Sequence, residues 1–169
     1  MQLTADVAVR PAVEWDLTDL EWFGLFRTHR RMIAETFEAA KRGEQIMLVA
    51  DLNGFAIGQV WIDLMLKPDL KSGSIWALRV IPCLQRLGVG TLLVGAAEEA
   101  IRRHGFHTAE IGADMDNPGA RRLYERLGYG VVSTWSGEYS YTTPEGIVIR
   151  GDSEQWILRK SLMPPDKEP

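Results

Sequence analysis

Gln85-Arg86-Leu87-Gly88-Val89-Gly90-Thr91 lies between a strand-like run, residues 74–81, and a long helical pattern, residues 91–104. A helix N-terminus leaves about four backbone N–H donors unpaired and carries roughly half a positive charge. Glycines at 88 and 90 remove the Cβ atoms that would hold an anion away from those donors. Thr91 adds a hydroxyl and Arg86 a charge. The turn therefore suits a phosphate. The plainer alternative is a tight strand-to-helix turn that happens to contain glycines. Two nucleotide motifs fail here. Gly90 is followed by Thr91-Leu92, without the lysine of a P-loop, and Leu93 stands where a dinucleotide fingerprint needs its third glycine.

Outward from this turn, Pro82 stops the 74–81 strand. The 91–104 helix places Leu92, Ala96 and Ala100 on one face, with Arg102 and Arg103 in its last turn and Gly105 as its cap. Residues 45–51 and 55–64 are two further strand-like runs, joined by Asn53-Gly54, the strongest short hairpin signal. Residues 67–73 read as a polar loop. Residues 6–10 alternate weakly and form a first strand. Over residues 17–41, apolar Leu17, Leu20, Phe23, Leu25, Phe26, Met32, Ile33 and Phe37 recur at helical spacing, which predicts one or two helices ended by Gly43. Downstream come a strand at 108–113, a helix at 117–127, and strands at 129–136 and 155–160. A turn-rich stretch with Pro144 and Gly146 links the last two. This order predicts an α/β or α+β domain around one mixed sheet.

A second constellation follows about thirty residues after the turn: Asn117-Pro118-Gly119-Ala120-Arg121-Arg122-Leu123-Tyr124-Glu125-Arg126-Leu127-Gly128-Tyr129. Asn117 is a good N-cap, Pro118 suits the first helical position, and Gly128 suits the end. Asn117, Ala120 or Arg121, and Tyr124 share one face, and the small Ala120 leaves room there. The structural alternative has Asn117 only capping and Tyr124 only packing.

Together the two segments resemble the signatures of the GNAT superfamily of N-acetyltransferases. Residues 85–90 match a Gln/Arg-x-x-Gly-x-Gly/Ala turn. Residues 117–129 match an Asn-x-x-Ala-x-x-x-Tyr-x-x-x-Gly-Phe/Tyr helix. The resemblance runs from about residue 46 to 162. It implies a mixed, mostly antiparallel twisted sheet of six to seven strands flanked by helices. Two central parallel strands, 74–81 and 108–113, would splay into a V that holds acyl-CoA. By the same resemblance, Gln85, Arg86 and the amides of Leu87, Gly88, Val89, Gly90 and Thr91 bind the pyrophosphate. Leu78 and Val80 pair with the pantetheine arm, and the Val80 amide polarises the thioester carbonyl. Asn117 bonds the pantetheine or the acceptor side, and Tyr124 protonates the leaving thiolate. The expected activity is transfer of acetyl from acetyl-CoA to the primary amine of a small molecule, by direct attack. A protein or peptide N-acetyltransferase and a non-catalytic acyl-CoA sensor are the alternatives. The chain departs from many relatives in one respect: its 74–80 strand carries no glutamate, so the general base is unassigned. Asp63, Asp114, Asp116 or a water chain could serve.

Composition narrows the partners. The 169 residues suit a single domain, expected over 1–162, with a disordered tail at 163–169. A net charge of −4 argues against nucleic acid. No run is long and apolar enough for a membrane span, and no signal peptide is visible, which points to the cytoplasm. A homodimer is compatible with the resemblance. The one cysteine, Cys83, excludes an internal disulfide and reads as a plain free thiol rather than an acyl carrier. His29, His104 and His107 lack metal-ligand spacing, so no metal is expected, and His104 suits a helix C-terminus. The acceptor site is expected from residues 15–41 and the final loop. Trp15, Trp22, Phe23 and Phe26 stand beside Asp16, Asp19 and Glu21. In the loop, Tyr139 and Tyr141 stand beside Glu138, Glu145, Asp152 and Glu154. Aromatics beside carboxylates favour a cationic amine.

Overall fold

The computed structural model describes residues 6–163. The terminal part of the expected tail, residues 164–169, lies outside the described residues. Seven strands form one sheet: β1 (Val7–Pro11), β2 (Gln45–Leu52), β3 (Phe55–Lys67), β4 (Ser72–Val80), β5 (Thr108–Asp114), β6 (Gly130–Thr142) and β7 (Val148–Ser161). Their spatial order is β1-β2-β3-β4-β5-β7-β6. Every neighbouring pair is antiparallel except β4–β5. The helices are α1 (Asp16–Asp19), α2 (Arg30–Lys41), α3 (Val89–Arg103) and α4 (Pro118–Arg126).

Each face of the sheet has its own core. On one, Leu93, Val94, Ala97 and Ile101 of α3 pack on Ile57, Val60, Ile62, Ile75 and Ile111. On the other, Leu20, Trp22, Ile33 and Phe37 pack on Met47, Val49, Ala56 and Trp61. Alternation along β3 explains the division, since Val60 and Ile62 point one way and Trp61 the other. Gly73 lets α3 lie close on β4: a Cβ there would stand 2.5 Å from Ile101 Cγ1. Asn53 and Gly54 both take positive φ, the geometry of the hairpin turn their sequence predicts.

Three boundaries differ from the sequence expectation. The connection expected over 67–73 is shorter: β3 runs through Lys67, a single 3-10 turn covers Pro68–Leu70, and β4 starts at Ser72. Lys67 is held in the sheet by its register with Ser72 and its bond to Glu110. The helical pattern over 17–41 divides into the short α1, an irregular stretch, a 3-10 turn at Arg27–His29, and α2. Trp22, Phe23 and Gly24 all take positive φ, which breaks any continuous helix. Trp22 is drawn into the core, its Nε1 donating to Ala56 O at 2.8 Å, while Phe23 turns outward onto Phe55. Finally, β6 and β7 are much longer than expected, and continuous pairing carries their largely exposed residues as strand up to the turn at 143–147.

Candidate functional site

Strands β4 and β5 pair only from Ser72↔Thr108 to Ile75↔Ile111, then separate. The cause lies within β4. Trp76 faces Trp61 and Arg79 faces Gln59, so three steps on β4 meet two on β3. This is a β-bulge, with Ala77 at φ 49°. Gln59, only 1% exposed, donates from Nε2 to Ala77 O at 3.3 Å and fixes the bulge. Beyond it, Ile81 N bonds Ile57 O on the β3 side, so the alternating Val80 and Leu78 direct their backbone groups into the opening. Meanwhile β5 stays paired with β7 as far as Asp114↔Gln155. The result is a cleft of about 1120 Å³ between β4 and β5.

At one end of β4, a 3-10 turn at Pro82–Leu84 leads into the glycine-bearing turn and α3. Arg86 and Gly88 take positive φ, and Gly88 is the N-cap. The first amide to bond a helical-type carbonyl is that of Leu92, to Gly88 O at 3.0 Å. Among the described residues, the amides of Leu87, Gly88, Val89, Gly90 and Thr91 donate to no backbone carbonyl. A Cβ on Gly90 would meet only Leu123 Cδ2, at 3.7 Å, so the backbone there stays open to an approaching group. Gln85 turns back and donates from Nε2 to Val80 O at 3.0 Å.

The opposite wall carries α4. Asn117 Oδ1 accepts from Ala120 N at 3.1 Å, a side-chain cap, and Asn117, Ala120 and Tyr124 all line the cleft. Tyr124 is 5% exposed. Burial, with a smaller contribution from the Asp114 carboxylate, pushes its phenol up to about 12. Behind it, Tyr129 donates to Glu98 at 3.0 Å, and Lys160 bonds the same carboxylate at 2.9 and 3.0 Å. That cluster ties the end of α4 to α3 and β7.

The remaining wall comes from the segment before α2 and from β6. His29 stacks on Tyr141 with centroids 4.6 Å apart, and Tyr139 stacks on Tyr141 in turn. Phe26 sits between Trp22 and His29, with the Arg79 guanidinium 4.5 Å over its ring. Arg27 pairs with Glu145 at 2.5 Å and joins this segment to the β6–β7 turn. Two expectations fail here. Trp15 is 69% exposed and Trp22 is core, and neither lines the cleft. Trp76 and Trp135 line it instead. Glu138, Asp152 and Glu154 belong to strands rather than a loop, and with Asp114 and Asp116 they line an adjoining basin of about 870 Å³. Asp63, within β3, accepts from the amides of Met65 and Leu66 where the β3–β4 register shifts, and it does not line the cleft. Sequence reasoning also missed His29, Arg79 and Gln155 on the cleft, because nothing local marks them. His104, by contrast, bonds Ala100 O at the end of α3 as expected. Cys83 is an exposed free thiol. No helix among the described residues is long and apolar enough to cross a membrane.

Known proteins share this architecture. The ribosomal-protein-S18-alanine N-acetyltransferase from Escherichia coli superimposes with a TM-score of 0.71 at 18% identity, over 96% of this chain and 99% of that one. A putative acetyltransferase from Salmonella typhimurium, solved with acetyl-CoA, gives the same TM-score, identity and coverage. By sequence, 83 residues are 31% identical to a mycothiol acetyltransferase of Beutenbergia cavernae, 49% of this chain and 27% of that protein. The chain spans less than a third of that relative's length. Residues 12–129 match the family model for this architecture, and the chain belongs to the acetyltransferase (GNAT) family.

Proposed function

We propose that this chain is an acetyl-CoA-dependent N-acetyltransferase acting on the primary amine of a small molecule, by direct transfer within a ternary complex. The observation that carries this reading is the opening between β4 and β5. It has unpaired strand backbone on one wall, unbonded amides at one end and a buried phenol on the other wall. Family membership and the likeness to an acetyltransferase solved with acetyl-CoA support the donor.

The amides of Leu87, Gly88, Val89, Gly90 and Thr91 hold the pyrophosphate at the positive end of α3, with Arg86 adding charge. Leu78 and Val80 bond the pantetheine arm as an added strand would. Gln85 steadies the Val80 peptide through its carbonyl. The Val80 amide then polarises the thioester carbonyl as negative charge grows on its oxygen. Asn117, its Oδ1 engaged as a cap, keeps its amide N–H groups for the pantetheine or the acceptor side. Tyr124 gives its proton to the departing thiolate. A phenol pushed up to about 12 is fully protonated at neutral pH. The same dry wall acts on the thiolate beside it, raising its demand for that proton.

The closed acceptor wall favours a small acceptor. The Arg27–Glu145 pair and the His29–Tyr141 stack bridge its two sides, which an extended polypeptide would have to part. Tyr139, Tyr141, Trp76 and Trp135 offer aromatic faces to a cationic amine. Calorimetry with acetyl-CoA followed by a CoA-release screen tests the reading, with polyamines, aminoglycosides, amino acids and short peptides as acceptors. We expect stoichiometric binding, and turnover on cationic small amines. Turnover confined to peptides would overturn the small-molecule acceptor. Binding without turnover would make the chain an acyl-CoA sensor.

A further inference from the structure

We propose that the imidazole of His29 is the proton acceptor for the attacking amine. The proposal rests on the acetyltransferase reading and supplies the base that the β4 sequence lacks.

The cleft's titratable side chains narrow the choice. Glu110 is already committed, to Lys67 at 2.5 Å and to Arg159 at 2.9 Å. Asp114 accepts from Ser153 and Gln155 and stands on the α4 side, where it acts on Tyr124. Lys67 is bonded to Glu110, the Arg79 guanidinium lies over Phe26, and Tyr124, its phenol pushed up to about 12, keeps its proton at neutral pH, while Tyr139 and Tyr141 stand stacked along β6. His29 lines the cleft, whereas His104 is bonded to the end of α3 and His107 follows α3 at the base of β5. An imidazole is the side chain whose ordinary charge change falls near neutrality.

The setting orients the ring and keeps it neutral. Tyr141 on β6 stacks on one face, 4.6 Å away at 23°, and Phe26 meets it edge-on at 5.7 Å. Nδ1 lies 3.1 Å from Thr28 Oγ1, which leaves Nε2 for an acceptor amine. Burial, then the Arg79 charge from β4, lowers its pKa from the ordinary value. His29 is also the N-cap of α2, at the positive end of that helix, which disfavours imidazolium further. The other charges around it are paired: Arg27 with Glu145, and Arg30 with Glu21.

The step balances. The acceptor ammonium first loses one proton to solvent; the neutral amine nitrogen then forms the C–N bond at the thioester carbonyl carbon and gives its second proton to His29 Nε2. The C–S bond breaks, and the thiolate takes the Tyr124 proton. The imidazolium then releases its proton to solvent, and Tyr124 regains one from solvent.

The test has two arms. Long-range 15N NMR of wild type against His29→Gln identifies the His29 ring and its charge. A neutral ring at pH about 7 that titrates below the ordinary value of about 6.5 is expected. A ring charged at neutral pH overturns the proposal, whatever the acceptor is. The second arm measures pH profiles on an amine that turns over in the screen above. His29→Gln should lower kcat by at least about 100-fold, remove the acid limb of kcat/KM, and leave acetyl-CoA affinity unchanged. His29→Phe keeps an aromatic on Tyr141 and should be equally slow, and added imidazole should restore part of the rate to His29→Ala. Full activity in His29→Phe, or loss of the acid limb in Asp114→Asn but not in His29→Gln, overturns the proposal. Wild type that turns over no amine would instead remove the acetyltransferase reading itself.

Discussion

The two walls of the cleft are built on different principles. The donor wall is backbone chemistry on regular elements: a bulged strand, a glycine turn and two helix starts. The acceptor wall is side-chain chemistry on an irregular segment braced against a long hairpin by stacking and one ion pair. Backbone donors come with any residue, so the donor wall tolerates wide sequence change provided its glycines, bulge and caps stay in place. Each side chain of the acceptor wall depends on a partner far away in sequence, so that wall can be respecified by a few substitutions. A fold that fixes one substrate and varies the other needs this asymmetry.

The contrast has one exception, Tyr124, the donor-wall side chain that the proposed mechanism places at the reaction. Tyr124→Phe removes one hydroxyl and little packing. We expect kcat to fall by about 10²–10⁴, with a much smaller change in acetyl-CoA affinity, measured by stopped-flow and calorimetry. Because burial holds that phenol near 12, the wild-type rate should not drop as pH rises through the ordinary tyrosine value of about 10. Next in size, Gly90→Val should weaken acetyl-CoA by at least about 100-fold, because the side chain fills the space over the unbonded amides. The melting temperature should barely move, since a Cβ there meets only Leu123 at ordinary contact distance. A fall in stability comparable to the loss of binding would reassign Gly90 to packing.

The same asymmetry explains what was legible. Glycines, caps and the Asn53-Gly54 turn act over a few residues, so the sequence alone located the glycine turn, both helix starts at 89–91 and 117, and the β2–β3 hairpin. Trp22 and Phe23 carry helical spacing, yet one enters the core at Ala56 and the other turns out to Phe55, which only the sheet beneath them decides. The sequence offers Tyr139 and Tyr141 as acceptor-side aromatics, but within a loop. Their strand form comes from pairing with Gly151 and Ile149 on β7. Nothing near His29 in the sequence marks it, because its partner, Tyr141, is over a hundred residues away. The bulge at Ala77 has no glycine to announce it, and Gln59 on the neighbouring strand holds it.

The acceptor wall has its own anchor. Arg10 on β1 bonds Asp16 at 2.7 and 2.9 Å and Asp51 at 2.6 Å, fastening the start of α1 to the sheet edge. Asp16 is 0% exposed, so Arg10→Met leaves a buried carboxylate without its cation. The expected loss is about 3 kcal/mol in denaturant unfolding, at the low end for an orphaned buried charge because Arg10 is itself partly exposed. Its acceptor KM should rise while acetyl-CoA affinity holds. Acid should act on the same anchor in the wild type. The Gly54 amide, with Arg10, holds the Asp51 carboxyl below its usual value. Its contribution is therefore complete above the ordinary aspartate value of about 3.9 and is lost as pH falls through the lower folded value.

The smallest effect falls on the bridge itself. Arg27 and Glu145 are 55% and 45% exposed, so their pairing adds little to stability. Arg27→Ala should leave the unfolding midpoint nearly unchanged and should be felt in acceptor choice. Removing it frees the 143–147 turn from the segment before α2 and leaves the His29–Tyr141 stack as the remaining tie across that wall. If closure excludes extended chains, the variant should gain a few-fold in kcat/KM on peptides with a free N-terminus while keeping its rate on small amines. Tyr141→Ala added to Arg27→Ala should increase the gain, because it removes the second tie. Salt gives an independent check: screening weakens exposed pairs most, so raising ionic strength should shift wild-type selectivity toward that of Arg27→Ala and leave the variant's own selectivity unmoved. Equal salt sensitivity in both proteins would show that the ion pair plays no part in closing the acceptor wall.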